Sequence, residues 1–545
     1  MHAEKTSRGG SVASLHSGSQ GSSVAAAAAL STGSAARRAA YAAAVLLSSA
    51  GGLILEIVAG RMIAPYVGMS LYTWTAVIAV VLAGFSIGHW IGGRLANHGH
   101  AASCRILAWL LALAAVTTVA CLPLIRLISP FVLGAGFHPI TAIVLLTSAL
   151  FILPSLFVGT LSPILTKLAI EEQPDAPGRA LGLMFASGAI GSIAGTLAAG
   201  YLMISWIGSI GSVLAVAGGY FLMAGGFAWA ARPSPRRAFA SALAVLATGA
   251  LLLGLSNRLE ALTSPCKVES QYYCIQVMDF SLQTGRPSAI MVLDHLAHGI
   301  NDQADPTYLH SPYLELTDSF LRDRFGDTED FSAFFVGGGA NTLPRAWDAR
   351  HPGASLLIAE IDPAVTQMAE EAMWFTPSER TRVEHGDGRL VLRDLPQDVV
   401  FDAIIGDAYH DISVPQHLTT REFAELIYER LAPEGFYAAN VIDSSQRPLF
   451  LLALTRTLQS VFPEVQVWIH PEQVMEGARA TYVVTAAREG FAVDRLRGLD
   501  GETLSWILWP PEELASSIER SGVPLLTDNY APVDRLMLHV LADEP

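Results

Sequence analysis

Four short stretches of the second half of the chain place glycine and carboxylates in succession: Gly337-Gly338-Gly339, Glu360, Gly386-Asp387-Gly388 and Asp407. A glycine turn lets backbone approach a ligand closely, because no Cβ intervenes. A carboxylate such as Glu360 can accept from both hydroxyls of a ribose, and Asp387 can accept from an adenine amino group. No lysine stands in a phosphate-cradling loop, so a nucleoside triphosphate does not fit this set. The chemistry indicated is nucleoside binding beside a further acid, Asp407. The plainer reading of Asp407 is a cap for the turn or helix that follows its strand.

These residues need elements that bring them together. Ala333–Val336 reads as a short buried strand ending at the glycine triplet, with a helix predicted over Thr342–Arg350. Leu356–Ile361 is a second strand, carrying Glu360 at its end, and helix Ala364–Ala372 follows. Arg382–His385 leads into Gly386, Asp387 and Gly388. Phe401–Ile405 ends toward Asp407, followed by helix Arg421–Leu431 and strand Gly435–Val441. Strands alternating with helices imply a mainly parallel, Rossmann-like α/β sheet, whose ligands bind beyond the carboxyl ends of the strands. Upstream, Tyr272–Asp279 and Ala289–Leu293 suggest a small β-rich lead-in. The expected units are 258–330 for the lead-in and 331–545 for the α/β domain.

The first half has a different composition. Of 545 residues, 51% are hydrophobic and only 15% charged, against about 25% charged in soluble proteins. The deficit lies between Tyr41 and Ser256. Seven segments satisfy the requirement of about 20 mostly apolar residues for a spanning helix: Ala40–Ile63, Tyr72–Gly93, Ile106–Ile128, Pro139–Ala169, Ala180–Ile204, Ile207–Ala231 and Phe239–Ser256. They define a helical multi-pass domain over 37–257, preceded by a Ser-, Gly- and Ala-rich tail, 1–36, expected to be disordered. Small residues at four-residue spacing, Gly84/Gly88/Gly92 and Gly188/Ser192, suit close helix packing.

Loop charge sets the orientation. With the N-terminus inside, the inner flanks hold Arg37, Arg38, Arg94, Arg105, Lys167, Arg179, Arg232, Arg236 and Arg237, and the outer flanks only Arg61, Arg126 and Arg258. The chain then reads as a multi-pass protein of the cell (inner) membrane with an extracytoplasmic C-terminal domain. Cys266 and Cys274, just beyond the seventh span, are close enough in sequence to form a disulfide there; the alternative is two free thiols. Cys104 and Cys121 read as small apolar residues. Glu56 and Arg61 are ionisable residues at the first span, either a functional site or a structural ion pair or snorkelling pair. A formal net charge of −15 excludes nucleic acid as a partner.

In combination, several runs resemble the spermidine synthase family. They are Phe335-Val336-Gly337-Gly338-Gly339, Ala359-Glu360-Ile361-Asp362-Pro363, Gly386-Asp387-Gly388 and Phe401-Asp402-Ala403-Ile404-Ile405-Gly406-Asp407-Ala408-Tyr409. Three further runs resemble its membrane-fused branch: Glu56 to Pro65, Pro415 to Phe423 and Leu526 to Asp534. The resemblance implies aminopropyl transfer from decarboxylated S-adenosylmethionine, as co-substrate, to a small-molecule amine such as putrescine. It assigns the ribose to Glu360, the adenine to Asp387 with Gly388 beside it, and the reacting amine to Asp407. The acceptor side would hold Tyr409, His410 and His298, the last lying where spermidine synthases use a glutamine. It further implies a homodimer and no prosthetic group.

The chain departs from that family in carrying Ala340-Asn341 after the triplet, where an aspartate is usual. It has His410, with Asp411 next, in place of a second aspartate; a histidine there weakens the hold on a dication. Tyr272, Tyr273, Tyr308 and Tyr313 are candidates for the acceptor slot, since aromatic faces attract cations, or else packing residues. His295, His310, His351, His385, His417 and His470 show no ligand spacing, so no metal is expected. Two other functions fit the same residues: a methyltransferase on the same sheet, or a transporter or sensor that binds a polyamine or nucleoside without turnover. For the latter, Gly92 to Asn97 resembles a loop motif of major-facilitator transporters.

Overall fold

The computed structural model describes residues 18–231, 235–326, 330–409, 414–472, 479–491, 496–499, 501–538 and 540, with main chain only at 18–33, 235–242 and 245–246. Eight helices come first: α1 (Gly18–Val67), α2 (Leu71–Leu95), α3 (His100–Gly134), α4 (Pro139–Gly159), α5 (Leu161–Glu171), α6 (Pro177–Ala198), α7 (Ile204–Ala230) and α8 (Pro235–Arg258). Of the tail expected to be disordered, residues 1–17 lie outside the described residues, and from Gly18 the chain is helical and continuous with α1. That helix suits the run of alanines, the strongest helix former.

Among the described residues, five helical stretches are long and apolar enough to cross a membrane: Ser34–Val67, Leu71–Leu95, His100–Gly134, Pro139–Glu171 and Pro177–Ala230. The seven expected segments are thus not each distinct by this measure. The fifth and sixth fall in one 54-residue stretch, which a single π turn joins and Gly208 (φ 69°, ψ 177°) breaks inside α7. The seventh falls in α8, part of whose side chains lie outside the described residues. The glycines at 84 and 88 seat α2 against α4, and Gly92 against Thr160 just after it, as their spacing predicts; on α6, Gly188 faces Val45 and Ser49 of α1, and Gly191 and Gly195 meet the main chain of that helix more closely.

The lead-in is a four-stranded antiparallel sheet, β1 (Val268–Glu269), β2 (Cys274–Asp279), β3 (Ser288–Leu293) and β4 (Leu296–Asp302), with a helical turn α9 (Ser281–Thr284) before β3. Cys266 and Cys274 form a disulfide across it, Cα–Cα 5.1 Å. Helix α10 (Pro312–Phe325) leads into the main domain. There the chain runs β5 (Ser332–Val336), α11 (Thr342–Arg350), β6 (Ser355–Glu360), α12 (Pro363–Ala372), β7 (Thr381–His385), α13 (Gly388–Asp394), β8 (Phe401–Gly406), α14 (Arg421–Arg430), β9 (Leu431–Ser444), α15 (Leu449–Gln459), β10 (Glu464–Ile469), β11 (Arg479–Ala487), β12 (Ile507–Leu508), α16 (Pro511–Ser521) and α17 (Val533–Leu536).

The eight strands of the main sheet lie in the order β12-β10-β11-β9-β8-β5-β6-β7. From β9 to β7 neighbours are parallel, and the strands beyond β9 pair antiparallel. Alternate residues of the parallel strands enter opposite cores. Phe334, Val336, Ile404 and Ala439 face one, and Phe335, Ile358, Ile405 and Ala438 the other. Both faces are therefore covered, which is why these strands read as continuous apolar runs. The strand order reverses between β5 and β8, opening a crevice at their carboxyl ends.

Candidate active site

At that crevice the chain leaves β5 through Gly337, whose φ of +99° favours glycine. A Cβ at Gly337 would lie 2.4 Å from the carbonyl oxygen of Asp407, so the turns after β5 and β8 touch through this residue. The turn folds back over the end of β6, one strand away. There Glu360 Oε2 accepts from Gly338 N (2.9 Å) and Gly339 N (3.1 Å), and Oε1 accepts from Asp362 N (2.9 Å). Burial pushes the Glu360 carboxyl up from its ordinary range, and these main-chain donors oppose the rise. β4 closes the turn from the other side: Asn301 Nδ2 donates to the Ala340 carbonyl (3.0 Å) and Thr342 Oγ1 to Asn301 Oδ1 (2.6 Å).

Asp407 follows Gly406, which lies level with Ala439 on the neighbouring β9. The next residue, Asn440, donates from Nδ2 to Asp407 Oδ1 (2.9 Å), and Tyr313 of α10 donates to Oδ2 (2.9 Å). Burial raises the Asp407 carboxyl, with Asn440, then Tyr313, then nearby His298 drawing it back. The carboxylate is not the cap that the plainer reading allowed.

Asp387 is a cap as well as a cleft residue. Its Oδ1 accepts from Leu390 N (3.0 Å) at the start of α13, and its Oδ2 lies 2.6 Å from His417 Nε2. A Cβ on Gly388 would meet Val336 at 2.7 Å. Arg389, one residue on, forms a double ion pair with Asp528, whose carboxylate also accepts from Thr420 (2.8 Å). The motifs at 415–423 and 526–534 are thereby folded together over the Asp387 end of the crevice.

These groups line one cleft of about 720 Å³. Among the described residues it gathers Gly337, Gly338, Gly339, Glu360, Asp387, Gly388, Asp407, His298 and Tyr409 from the sequence-predicted set. His298 Nδ1 lies 2.9 Å from the Leu296 carbonyl, and its Nε2 is buried with no hydrogen-bond partner among the described residues. Tyr409 is bound by its hydroxyl to the Asn440 carbonyl and the Ile442 N–H (both 2.9 Å), which makes it a wall rather than a free donor. Tyr272, Tyr273 and Tyr313 also line the cleft. Tyr308 does not: it stacks on Arg286 (4.2 Å) and His310 (4.8 Å) at the surface, where the cation it attracts is the protein's own. His410 lies outside the described residues.

Sequence reasoning missed three contributors. Asn440 stands at a strand end, like the carboxylates, and the same strand-end rule extended to β9 finds it. His417 sits in a quoted motif without an assigned role. Met69 and Ser70, from the turn between α1 and α2, and Leu71 and Trp74, from the start of α2, form a wall of the cleft, and no local signal links that stretch to the second half. The charged lining is Glu360, Asp387, Asp407 and Asp534, with no Lys or Arg among the described lining residues. Among the described residues no group of three or more His, Cys, Asp or Glu is placed to hold a metal ion.

No family model matches the chain. It is 31% identical over 139 residues to a polyamine aminopropyltransferase of Vibrio vulnificus, a match covering 25% of this chain and 46% of that protein. It is 27% identical over 235 residues to a probable polyamine aminopropyl transferase of Bifidobacterium longum, covering 39% and 51% respectively. The chain thus spans about half the length of the curated relatives it matches. Among solved structures, a probable spermidine synthase from Corynebacterium glutamicum aligns at 19% identity over 50% of this chain and 99% of that one, TM-score 0.42. In sequence, then, the chain is similar to polyamine aminopropyltransferases, here joined to N-terminal helices apolar and long enough to cross a membrane.

Proposed function

We propose that the chain transfers an aminopropyl group from decarboxylated S-adenosylmethionine to an amine such as putrescine. The observation that carries this reading is the charge of the cleft: four carboxylates and no Lys or Arg among its described lining residues. Both reactants are cations, a sulfonium and an ammonium, and an acid-lined slot attracts both. Ordinary S-adenosylmethionine carries a carboxylate that this lining repels, which favours the decarboxylated donor over methyl transfer.

In this reading Glu360 holds the ribose, the glycine turn passes close to it, and the Asp387 side of the cleft receives the adenine. Asp407 receives the acceptor nitrogen, oriented by its bonds to Tyr313 and Asn440. Asp407 takes a proton from the acceptor ammonium, which frees its lone pair, and passes it on to solvent. The neutral nitrogen attacks the methylene next to sulfur; the C–N bond forms as C–S breaks, the electron pair returns to sulfur as a neutral thioether, and the product nitrogen is left as a secondary ammonium. A carboxyl raised by burial is a better base than a free one, and proximity supplies much of the rest of the rate. His298 Nε2 is a second acceptor facing the same end.

We further propose seven spans with the cleft outside the cytoplasm. A straight helix of 54 residues would reach roughly 80 Å, more than twice a bilayer core, so the run broken at Gly208 serves as two crossings. The loop charges and the Cys266–Cys274 disulfide agree with an oxidising outer face. The test is the purified full chain in detergent, supplied with putrescine and either donor. Aminopropyl transfer from the decarboxylated donor is expected, and methyl transfer from the ordinary one in its place would overturn the reading. An alkaline phosphatase fusion at the C-terminus is expected to be active, and an inactive one would reverse the orientation.

A further inference from the structure

We infer that Arg61, on the first membrane helix, is a positioning residue for the nucleoside end of the cleft, acting through the β1–β2 turn and Asp362 on Glu360. The inference rests on the proposed role of Glu360 as the nucleoside anchor. From the end of α1, the Arg61 guanidinium reaches two carbonyls of that turn, those of Ser270 (2.8 Å) and Tyr272. A planar fork with several donors holds two acceptors at once; a lysine ammonium does so less rigidly. The hydroxyl of Ser270 donates to Asp362 Oδ2 and receives the main-chain N–H groups of Tyr272 (3.0 Å) and Tyr273 (2.9 Å). Asp362 in turn caps α12 through Ala364 N (3.0 Å), and its own N–H is the donor to Glu360 Oε1. Ser270, Asp362 and Glu360 are all buried, so no water stands ready to replace a lost bond.

Two further contacts make the turn a strut rather than a passive loop. Its strand β1 is gripped by a second membrane helix, where Glu269 accepts from the N–H (2.8 Å) and hydroxyl (2.6 Å) of Ser209, next to the break at Gly208. The disulfide Cys266–Cys274 ties the two sides of the turn together. Burial raises the Asp362 carboxyl, while the Ser270 hydrogen bond and the Arg61 charge hold it down. Losing either contact therefore loosens the cap of α12 and the amide that fixes Glu360.

The test is binding of 5′-methylthioadenosine to the full chain in detergent, measured by calorimetry. Arg61→Met and Ser270→Ala are each expected to weaken binding roughly three- to tenfold, as substitutions along a coupled network do. The double variant should bind no more weakly than the poorer single one, and Arg61→Lys should recover part of the loss. In turnover, the donor KM should rise while kcat at saturating donor and the amine KM hold. Ser270→Ala lies outside the membrane helices and tests the link from the turn to Asp362, and Arg61→Lys, which keeps the charge, tests the guanidinium fork even if Arg61→Met does not assemble. Singles that bind like the wild type while Glu360→Ala loses binding would overturn the strut and leave the pocket standing, as would losses that multiply in the double. Unchanged binding by Glu360→Ala would overturn the nucleoside reading itself, and this inference with it.

Discussion

The two ends of the cleft hold their carboxylates by different means. Glu360 receives three hydrogen bonds, all from main-chain N–H groups. Asp407 receives two, both from side chains, on α10 and β9. Each carboxyl is raised by burial and drawn back by its donors. A main-chain donor persists through substitution as long as the turn keeps its path, whereas a side-chain donor vanishes with one replacement. The Glu360 end is thus determined by how the chain runs, and the Asp407 end by which residues it carries. In the proposed function, acceptor preference would then drift at Tyr313, Asn440 and His298 without disturbing the pocket proposed for the adenosyl group.

The sharpest way to break that division is Asp407→Asn. It should lower kcat by about 10²- to 10⁴-fold, the usual contribution of a positioned base, with 5′-methylthioadenosine affinity nearly unchanged. Equal losses of rate and affinity would mean that the two ends act as one. The counterpart is Glu360→Gln, which keeps the shape but turns an amide NH₂ toward main-chain donors. Nucleoside binding should weaken about 10- to 100-fold, as for lost hydrogen bonds to a charged group, while kcat at saturating donor holds. A fall in kcat without a change in affinity would place Glu360 in the chemical step.

The same division decides how much could be read in advance. The partners of Glu360 lie no more than 22 residues from it in a strand–turn–helix–strand pattern, and apolar runs ending in glycine and acid expose that pattern directly. Helix α11 runs over Thr342–Arg350 as predicted, and the parallel core follows from alternation of strands and helices. The partners of Asp407 lie 94 and 33 residues away, joined by the fold rather than by spacing. Tyr308 and Tyr313 are alike in type and close in the chain. Only the placement of α10 sends Tyr313 to Asp407 and leaves Tyr308 outside. The wall from Met69 to Trp74 was illegible for the same reason, since it depends on how the membrane helices sit against the lead-in. The span count turns on a different point: apolar length alone does not tell one long helix from two joined through a short break.

Smaller effects sharpen the contrast. Tyr313→Phe and Asn440→Ala should each slow turnover at neutral pH by about three- to tenfold, the usual range for one lost hydrogen bond near a charge. Both donors hold the Asp407 carboxyl down, so removing either raises it further. Activity that needs ionised Asp407 is then lost at a higher pH on acidification, and the acid limb of the kcat/KM profile moves up. An unmoved limb in both variants would remove Asp407 from the titrating step.

The smallest effect concerns Asp443, near the end of β9 and outside the cleft lining. Like Glu360 it takes main-chain donors, from Ser444 (2.7 Å) and Leu451 (2.8 Å), and burial raises its carboxyl from the ordinary range to about 7. The folded state therefore keeps a proton that the unfolded chain releases above its ordinary value near 3.8. The stability this lends is complete at acid pH and is lost as pH rises through about 7. Between pH 5 and 8 the melting temperature of the wild type should fall by about 2–4 °C more than that of Asp443→Asn, with kcat unaffected. If the two slopes coincide, a full set of main-chain donors suffices to keep a buried carboxylate ionised, and the same would then hold for Glu360 without help from any ligand.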